Sequence, residues 1–234
     1  MKRIKISFVL NIMIVILVTL GTIFMFTGFT FMKSLNLLES TSFSMFRFFT
    51  VDSNILIGLS SLILLIYEIK LLNNKINKIP LTIYLFKYIS TSGITLTFLV
   101  TLLFLAPQYG FYAMYNNTNL FFHLIVPLLS LISYILFEKY NNKYKYSILG
   151  ILPMLIYSFF YMSNVIIHLD DGGLTFKYDF YGFLQGNINN IYIVIPVIYL
   201  FTYIISLLLI FLNRKGNRIW EVQYITEQEQ WLES

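Results

Sequence analysis

Cysteine is absent from this 234-residue chain. That removes disulfides, thiolate metal sites and thiol nucleophiles from consideration. Only two histidines occur, and alanine appears only at Ala106 and Ala113. Charge is scarce as well: Asp, Glu, Lys and Arg make up 12% of the residues, against about 25% in soluble domains. A soluble fold with this composition would have no polar surface to present to water. The two-domain cytosolic enzyme and the nucleic-acid binder are therefore excluded. The net charge of +5 does not change this, because a basic balance in a membrane protein reports topology.

Apolar residues are abundant, at 58% of the chain, and the mean hydropathy is +0.74. They fall into six runs, at about 7–31, 48–69, 83–106, 119–137, 147–168 and 190–212. Each is long enough to cross a hydrocarbon core of about 30 Å, and a segment in hydrocarbon must be helical to satisfy its own backbone. The expected architecture is all-α: one six-helix transmembrane domain over residues 1–213, then a short cytoplasmic tail, solvated or interfacial, over 214–234. The first run follows Met1-Lys2-Arg3-Ile4-Lys5. It is too long for a signal-peptide core and lacks a small-x-small cleavage site, so it reads as a retained helix.

Basic residues sort by side. Lys2, Arg3, Lys5, Lys70, Lys75, Lys78, Lys87, Lys139, Lys143, Lys145, Arg214, Lys215 and Arg218 fall on one side; Lys33, Arg47 and Lys177 fall on the other. The positive-inside rule then puts both termini in the cytoplasm. The tail carries the acidic run Glu227-Gln228-Glu229-Gln230, with Trp220 and Trp231 as expected interface anchors. Richness in Lys, Asn and Ile fits an AT-rich bacterial genome, hence a plasma membrane.

With that topology, polar chemistry gathers in the outer half. Span two enters through Arg47-Phe48-Phe49-Thr50-Val51-Asp52-Ser53-Asn54, and span four through Asn119-Leu120-Phe121-Phe122-His123 and Pro127. Span five leaves through Tyr157, Tyr161, Asn164 and His168 towards Asp170-Asp171-Gly172-Gly173. Asp52 reads as the only carboxylate well inside a span. Ionisable groups at such depth are costly and usually face a bundle interior or a water-filled cavity.

Helical spacing draws one polar stripe on each of four spans. Thr50, Asn54 and Ser61 form the first, and Asn119, His123, Pro127, Ser130 and Tyr134 the second. Tyr157, Tyr161, Asn164 and His168 form the third, and Tyr192, Tyr199, Ser206 and Asn213 the fourth. Turned inward, they would make a polar cavity open towards the outer leaflet. Asp52 lies about half a turn from Thr50 and is expected to face elsewhere, towards Arg47 or span one. Ser61, Ser130, Ser206, Thr91, Thr95, Thr97 and Thr101 are expected to make interhelical hydrogen bonds worth about 0.6 kcal/mol each. Tyr109, Tyr112 and Tyr115 are expected in the interfacial belt. His168, beside Asp170 and Asp171, reads as an ion pair or cap, whereas His123, one turn inside its span, reads as a functional group.

Two of these segments, Phe48-Phe49-Thr50-Val51-Asp52-Ser53-Asn54 and Asn119-Leu120-Phe121-Phe122-His123-Leu124-Ile125-Val126-Pro127, resemble the paired signatures of the androgen-induced protein family (FAR-17a/AIG1-like), and more closely its bacterial Pr6Pr branch of six-span proteins. Tyr178-Asp179-Phe180-Tyr181-Gly182-Phe183-Leu184 resembles that family's aromatic loop element, with Gly182 where a proline would stand. Animal members are threonine hydrolases that cleave fatty acid esters of hydroxy fatty acids. The resemblance implies Thr50 as nucleophile and His123 as base.

Such a pair is chemically coherent, because a threonine hydroxyl attacks only when a nearby base takes its proton, and histidine suits that task near neutral pH. Candidates to orient the base are Asn119, Asn164, His168 and Asp52. Asn54 is the first choice and Tyr161 the second for donating to an oxyanion, and Arg47 for holding a substrate carboxylate. The expected partner is a membrane lipid or lipid ester, with no cofactor, no metal and no nucleic acid; the oligomeric state is left open. Three functions fit these residues: a lipid ester hydrolase, an acyltransferase on the same site, and a non-enzymatic ligand-binding or transport protein. A single carboxylate at depth and the lack of broken-helix pairs count against a coupled transporter.

Overall fold

Six helices carry the six apolar runs: α1 (Lys2–Thr27), α2 (Phe49–Leu72), α3 (Leu81–Tyr109), α4 (Thr118–Phe137), α5 (Tyr144–Ile167) and α6 (Ile191–Glu233, opened by a 3-10 turn over Ile188–Asn190). The computed structural model describes residues 2–32, 40–138, 143–170 and 174–233, with side chains described as far as Glu221. Lys33, Lys139, Asp171, Gly172, Gly173 and the side chains of Glu227, Gln228, Glu229, Gln230 and Trp231 lie outside the described residues. Among the described residues every regular element is helical. All six helices are long and apolar enough to cross a membrane. By length and composition this is a multi-pass integral membrane protein.

Helix ends follow local chemistry. Gly28, in the left-handed region at φ 73°, stops α1, and Gly110 at φ 95° stops α3. The first span therefore runs Lys2–Thr27 rather than 7–31. Two π turns sit directly before prolines. Pro107 and Pro127 have no N–H, so the preceding turn widens until the N–H of Ala106 reaches Thr101 O and that of Val126 reaches Phe121 O.

α3 is the central stave, buried on nearly every side from Lys87 to Thr97. Its small polar residues let neighbours approach, as is usual between membrane helices. Ser92 shares a 2.8 Å hydrogen bond with Ser206 of α6, and Thr97 one of 2.8 Å with Ser53 of α2. Thr91 and Thr95 instead bond back to the carbonyls of Lys87 and Thr91 on their own helix. Outside, Ile16, Phe159, Phe160, Leu200 and Leu208 stand exposed, as side chains meeting lipid would.

Two features depart from expectation. Residues 214–233, expected as a tail, are not a separate piece of chain but continue α6 as helix to Glu233. A Cβ added at Gly216 would collide with the Ile135 carbonyl, and the Trp220 indole N–H donates to Leu136 O at 2.7 Å. This part of the tail is therefore packed on α4. The α6 stripe also does not turn wholly inward. Ser206 and Asn213 are buried, but Tyr192 is 78% exposed, because it sits at the helix's outer end, where tyrosines favour the interface.

The bundle has two distinct ends. Arg3, Glu68, Lys87, Glu138 and Asn217 meet at one, hereafter the N-terminal end. The segments at 40–48, 110–117 and 174–190 close the other.

Candidate functional site

The loop that closes the far end is folded around an aspartate. Both carboxylate oxygens of Asp179 accept backbone N–H groups, from Phe183 and Leu184 at 3.0 Å each, and Tyr161 donates its hydroxyl to Oδ1. Gly182 follows at φ 67°, which the fixed φ of proline cannot reach. Glycine takes up this left-handed conformation without strain, whereas proline is excluded from it. The loop presents Tyr181 to the start of α2, where its hydroxyl accepts the Phe49 N–H at 3.0 Å. Phe48 at the N-cap has no oxygen for this task. Burial pushes the Tyr181 phenol up to about 12, so it keeps its proton across the physiological range.

Directly beside this cap lies a small pocket of about 60 Å³, lined by Thr50, Asn119, Met114, Tyr109, His123 and Tyr181 among others. His123 is buried and held by its Nδ1, 2.7 Å from Met114 O. A carbonyl only accepts, so Nδ1 carries the hydrogen, and a neutral ring then has its lone pair on Nε2. The π turn over Phe121–Ile125 bears His123. Tyr115 meets the imidazole edge-on, with ring centroids 6.5 Å apart. Of the three tyrosines expected in the belt, Tyr112 is exposed at 58%, while Tyr109 lines this pocket and Tyr115 packs against its histidine.

The expected site residues divide between two places. Thr50, Asn119 and His123 share the pocket. Arg47, Asp52, Tyr161 and Asn164 line a separate cleft of about 680 Å³ between α2 and α5. Half a turn of α2 separates the two, so Asp52 faces α5 and the 174–190 loop rather than span one. The Arg47 guanidinium lies over the rings of Phe48 and Phe180, 4.8 and 5.3 Å from their centroids, at the cleft's rim. Lys177 and Tyr178 complete that rim, and Ile156 and Phe160, both exposed, flank its lateral side.

Three supporting candidates are otherwise engaged. Asn54 is fully buried and donates from Nδ2 to Thr50 O at 2.8 Å and to Phe122 O at 3.1 Å. Both amide hydrogens are spent on carbonyls, so it clamps α2 to α4 and has none for an oxyanion. Tyr161 gives its hydrogen to Asp179. His168 has Nδ1 2.8 Å from Asn164 O and its ring stacked on Tyr178 at 4.0 Å, away from the pocket. It is neither the orienting group nor seen paired with Asp170, and Asp171 is outside the described residues.

Sequence reasoning missed Asp179, Tyr181 and Asn117. The last, at φ 49°, accepts the N–H groups of Phe31 and Met32 at 2.9 and 2.7 Å, which ties the exit of α1 to the entrance of α4. It also missed that Asp52 is not alone at depth: Glu68, Lys87 and Glu138 are each 2% exposed or less. The Asn117 contacts join residues far apart in the chain, the Asp179 bonds run mostly to backbone four and five residues on, and no periodicity marks either. Among the described residues no three His, Cys, Asp or Glu side chains group as metal ligands. Comparison of the chain with protein-family models, with curated proteins and with solved structures returns no match.

Proposed function

We propose that this protein is an intramembrane threonine hydrolase that cleaves a lipid ester, with Thr50 as nucleophile and His123 as base. One observation carries the reading. Two residues 73 positions apart in the sequence, on α2 and α4, border one pocket, with His123 held so that Nε2 is its basic atom. The resemblance of both segments to the androgen-induced protein family supports the same pair.

In the proposed reaction Nε2 takes the Thr50 proton as Oγ adds to the ester carbonyl. The tetrahedral oxyanion needs a donor, and Tyr181, which borders the pocket and keeps its proton, takes the place first assigned to Asn54. Collapse expels the alkoxide, which takes the proton back from His123. Water, activated by the same imidazole, then cleaves the acyl-threonine. Another alcohol in that position would make the protein an acyltransferase. Asn119, one turn before His123, is the candidate to steady the ring. The positive-inside count puts the termini in the cytoplasm and this pocket towards the outer leaflet.

The deciding experiment is intact mass after exposure of the detergent-purified protein to a long-chain fluorophosphonate, beside Thr50→Ala. A single adduct lost in the variant supports the nucleophile; a folded wild type that takes no adduct, or a variant that still takes it, overturns it.

A second reading is favoured by the larger cleft. At about 680 Å³ it is large enough for an amphiphile, and it contains neither Thr50 nor His123. On that reading the protein binds or passes a lipid with an anionic head near Arg47, without chemistry. Saturable binding of a spin-labelled fatty acid without turnover would support it.

A further inference from the structure

The N-terminal end of the bundle holds a second polar centre, which the threonine–histidine reading does not use. Lys87 of α3 is fully buried, and its Nζ donates to Asn11 Oδ1 of α1 at 2.8 Å and to Ser61 Oγ of α2 at 2.5 Å. It lies 3.8 Å from Glu138 Oε1, at the end of α4. That same oxygen accepts the Ser133 hydroxyl at 2.9 Å. Glu68 of α2 accepts the Ser7 hydroxyl of α1 at 2.6 Å, again on Oε1. Asn11 joins the two halves, donating to the carbonyl of Ser7 at 3.0 Å. Both carboxyl groups are electrostatically coupled to Lys87 and to each other.

Two features of this centre do not balance if every group is ionised. The first is charge, since among the described residues two carboxylates face one ammonium. Arg3 does not supply the missing cation inside the cluster. Its guanidinium, half-buried at the edge, donates to the carbonyls of Phe137 and Glu138 and to Asn217 Oδ1. The second is hydrogen bonding. Glu68 Oε2 and Glu138 Oε2 are both buried and have no partner, although each residue is 2% exposed. A carboxylate oxygen stripped of water and donors is costly, and an uncompensated charge among membrane helices more so. One added proton corrects the charge, and it removes the ionic character of one orphaned oxygen.

We propose that the Glu68–Glu138 pair is a proton-binding site. The pair takes one proton from the aqueous phase at the N-terminal end of the bundle and holds it as an O–H on an Oε2 atom. Lys87 balances the remaining carboxylate. Tyr84 of α3 stands within electrostatic reach of both glutamates, Arg3 of α1 of Glu138, and Glu221 of α6 of Arg3, and these complete the titratable neighbours among the described residues. The site is independent of Thr50 and His123, and its occupant is a proton rather than a lipid.

Counting protonated glutamates tests this directly. The full-length protein, isotope-labelled at the glutamate side-chain carboxyl so that Asp52 and Asp179 are silent, is examined by infrared difference spectroscopy at neutral pH. Wild type is expected to show about one protonated carboxyl per chain. Glu68→Gln and Glu138→Gln each leave a one-to-one ion pair, so each is expected to abolish the band. Lys87→Met leaves two acids without a cation and is expected to double it. No band in folded wild type overturns the proposal, as does a band that survives in either glutamine variant. A folded Lys87→Met protein whose band does not double also overturns it. If Lys87→Met does not fold, the two glutamine variants decide alone.

Discussion

At one end of the bundle Thr50, Asn119, His123 and Tyr181 border a hollow, held by bonds to backbone groups. At the other end Ser7, Asn11, Ser61, Glu68, Lys87, Ser133 and Glu138 fasten side chain to side chain across four helices. The first arrangement leaves side-chain atoms uncommitted, which is what a reacting group or bound ligand needs. The second ties its polar atoms together across the helices, the two glutamate Oε2 atoms excepted, and sets the relative positions of α1 to α4. Polarity inside a membrane bundle therefore takes two forms here, an open hollow at one end and a cross-helix fastening at the other.

Substitutions that separate these roles sharpen the comparison. The largest effect on folding is expected from Lys87→Ala, which leaves the cluster's remaining buried carboxylate without its cation and should cost about 3–5 kcal/mol. Thermal unfolding in detergent would show it, and a melting temperature close to wild type would mean the N-terminal end is not the fastening. Asn54→Ala comes next, at about 1 kcal/mol, since it frees Phe122 O and loosens α2 from α4 near the pocket. Its distinguishing readout is fluorophosphonate labelling of Thr50, expected to slow in the folded variant because the clamp beside the nucleophile is gone. The smallest effect belongs to Arg47→Gln, exposed at the cleft rim, expected within about 0.5 kcal/mol of wild type in stability. Binding of a spin-labelled fatty acid should nonetheless weaken several-fold, and unchanged binding would remove Arg47 from the ligand's reach.

Much of the fold was legible from the sequence because hydrocarbon imposes one rule, an unbroken apolar run in a helix, and the first five runs match their helices to within a few residues, while the sixth helix runs on well past its apolar stretch. Half-turn geometry on α2 was legible too, since Thr50 and Asp52 do face different spaces. Lys87 shows where such reading stops. Counted among basic residues flanking the spans, it marks topology; only the contacts with Asn11 and Ser61 reveal it as buried. Glu68 and Glu138 were hidden for the same reason, standing at span ends where charge looks solvated. The Asp179 loop was hidden for another, because hydrogen bonds from a carboxylate to nearby backbone leave no periodic trace.

The π turn that carries His123 has a further consequence, for helical phase. A π turn holds one residue more than the α turn it replaces, and one residue is about 100° of rotation. Residues on the two sides of Phe121–Ile125 therefore do not share the faces that a uniform 3.6-residue wheel assigns them. Asn119 and Tyr134, drawn on one stripe, are set by different phases: Asn119 borders the pocket, while Tyr134 packs against Tyr88 in the core, ring centroids 5.9 Å apart. The aim of the imidazole thus depends on the number of residues in one turn as much as on which residues they are.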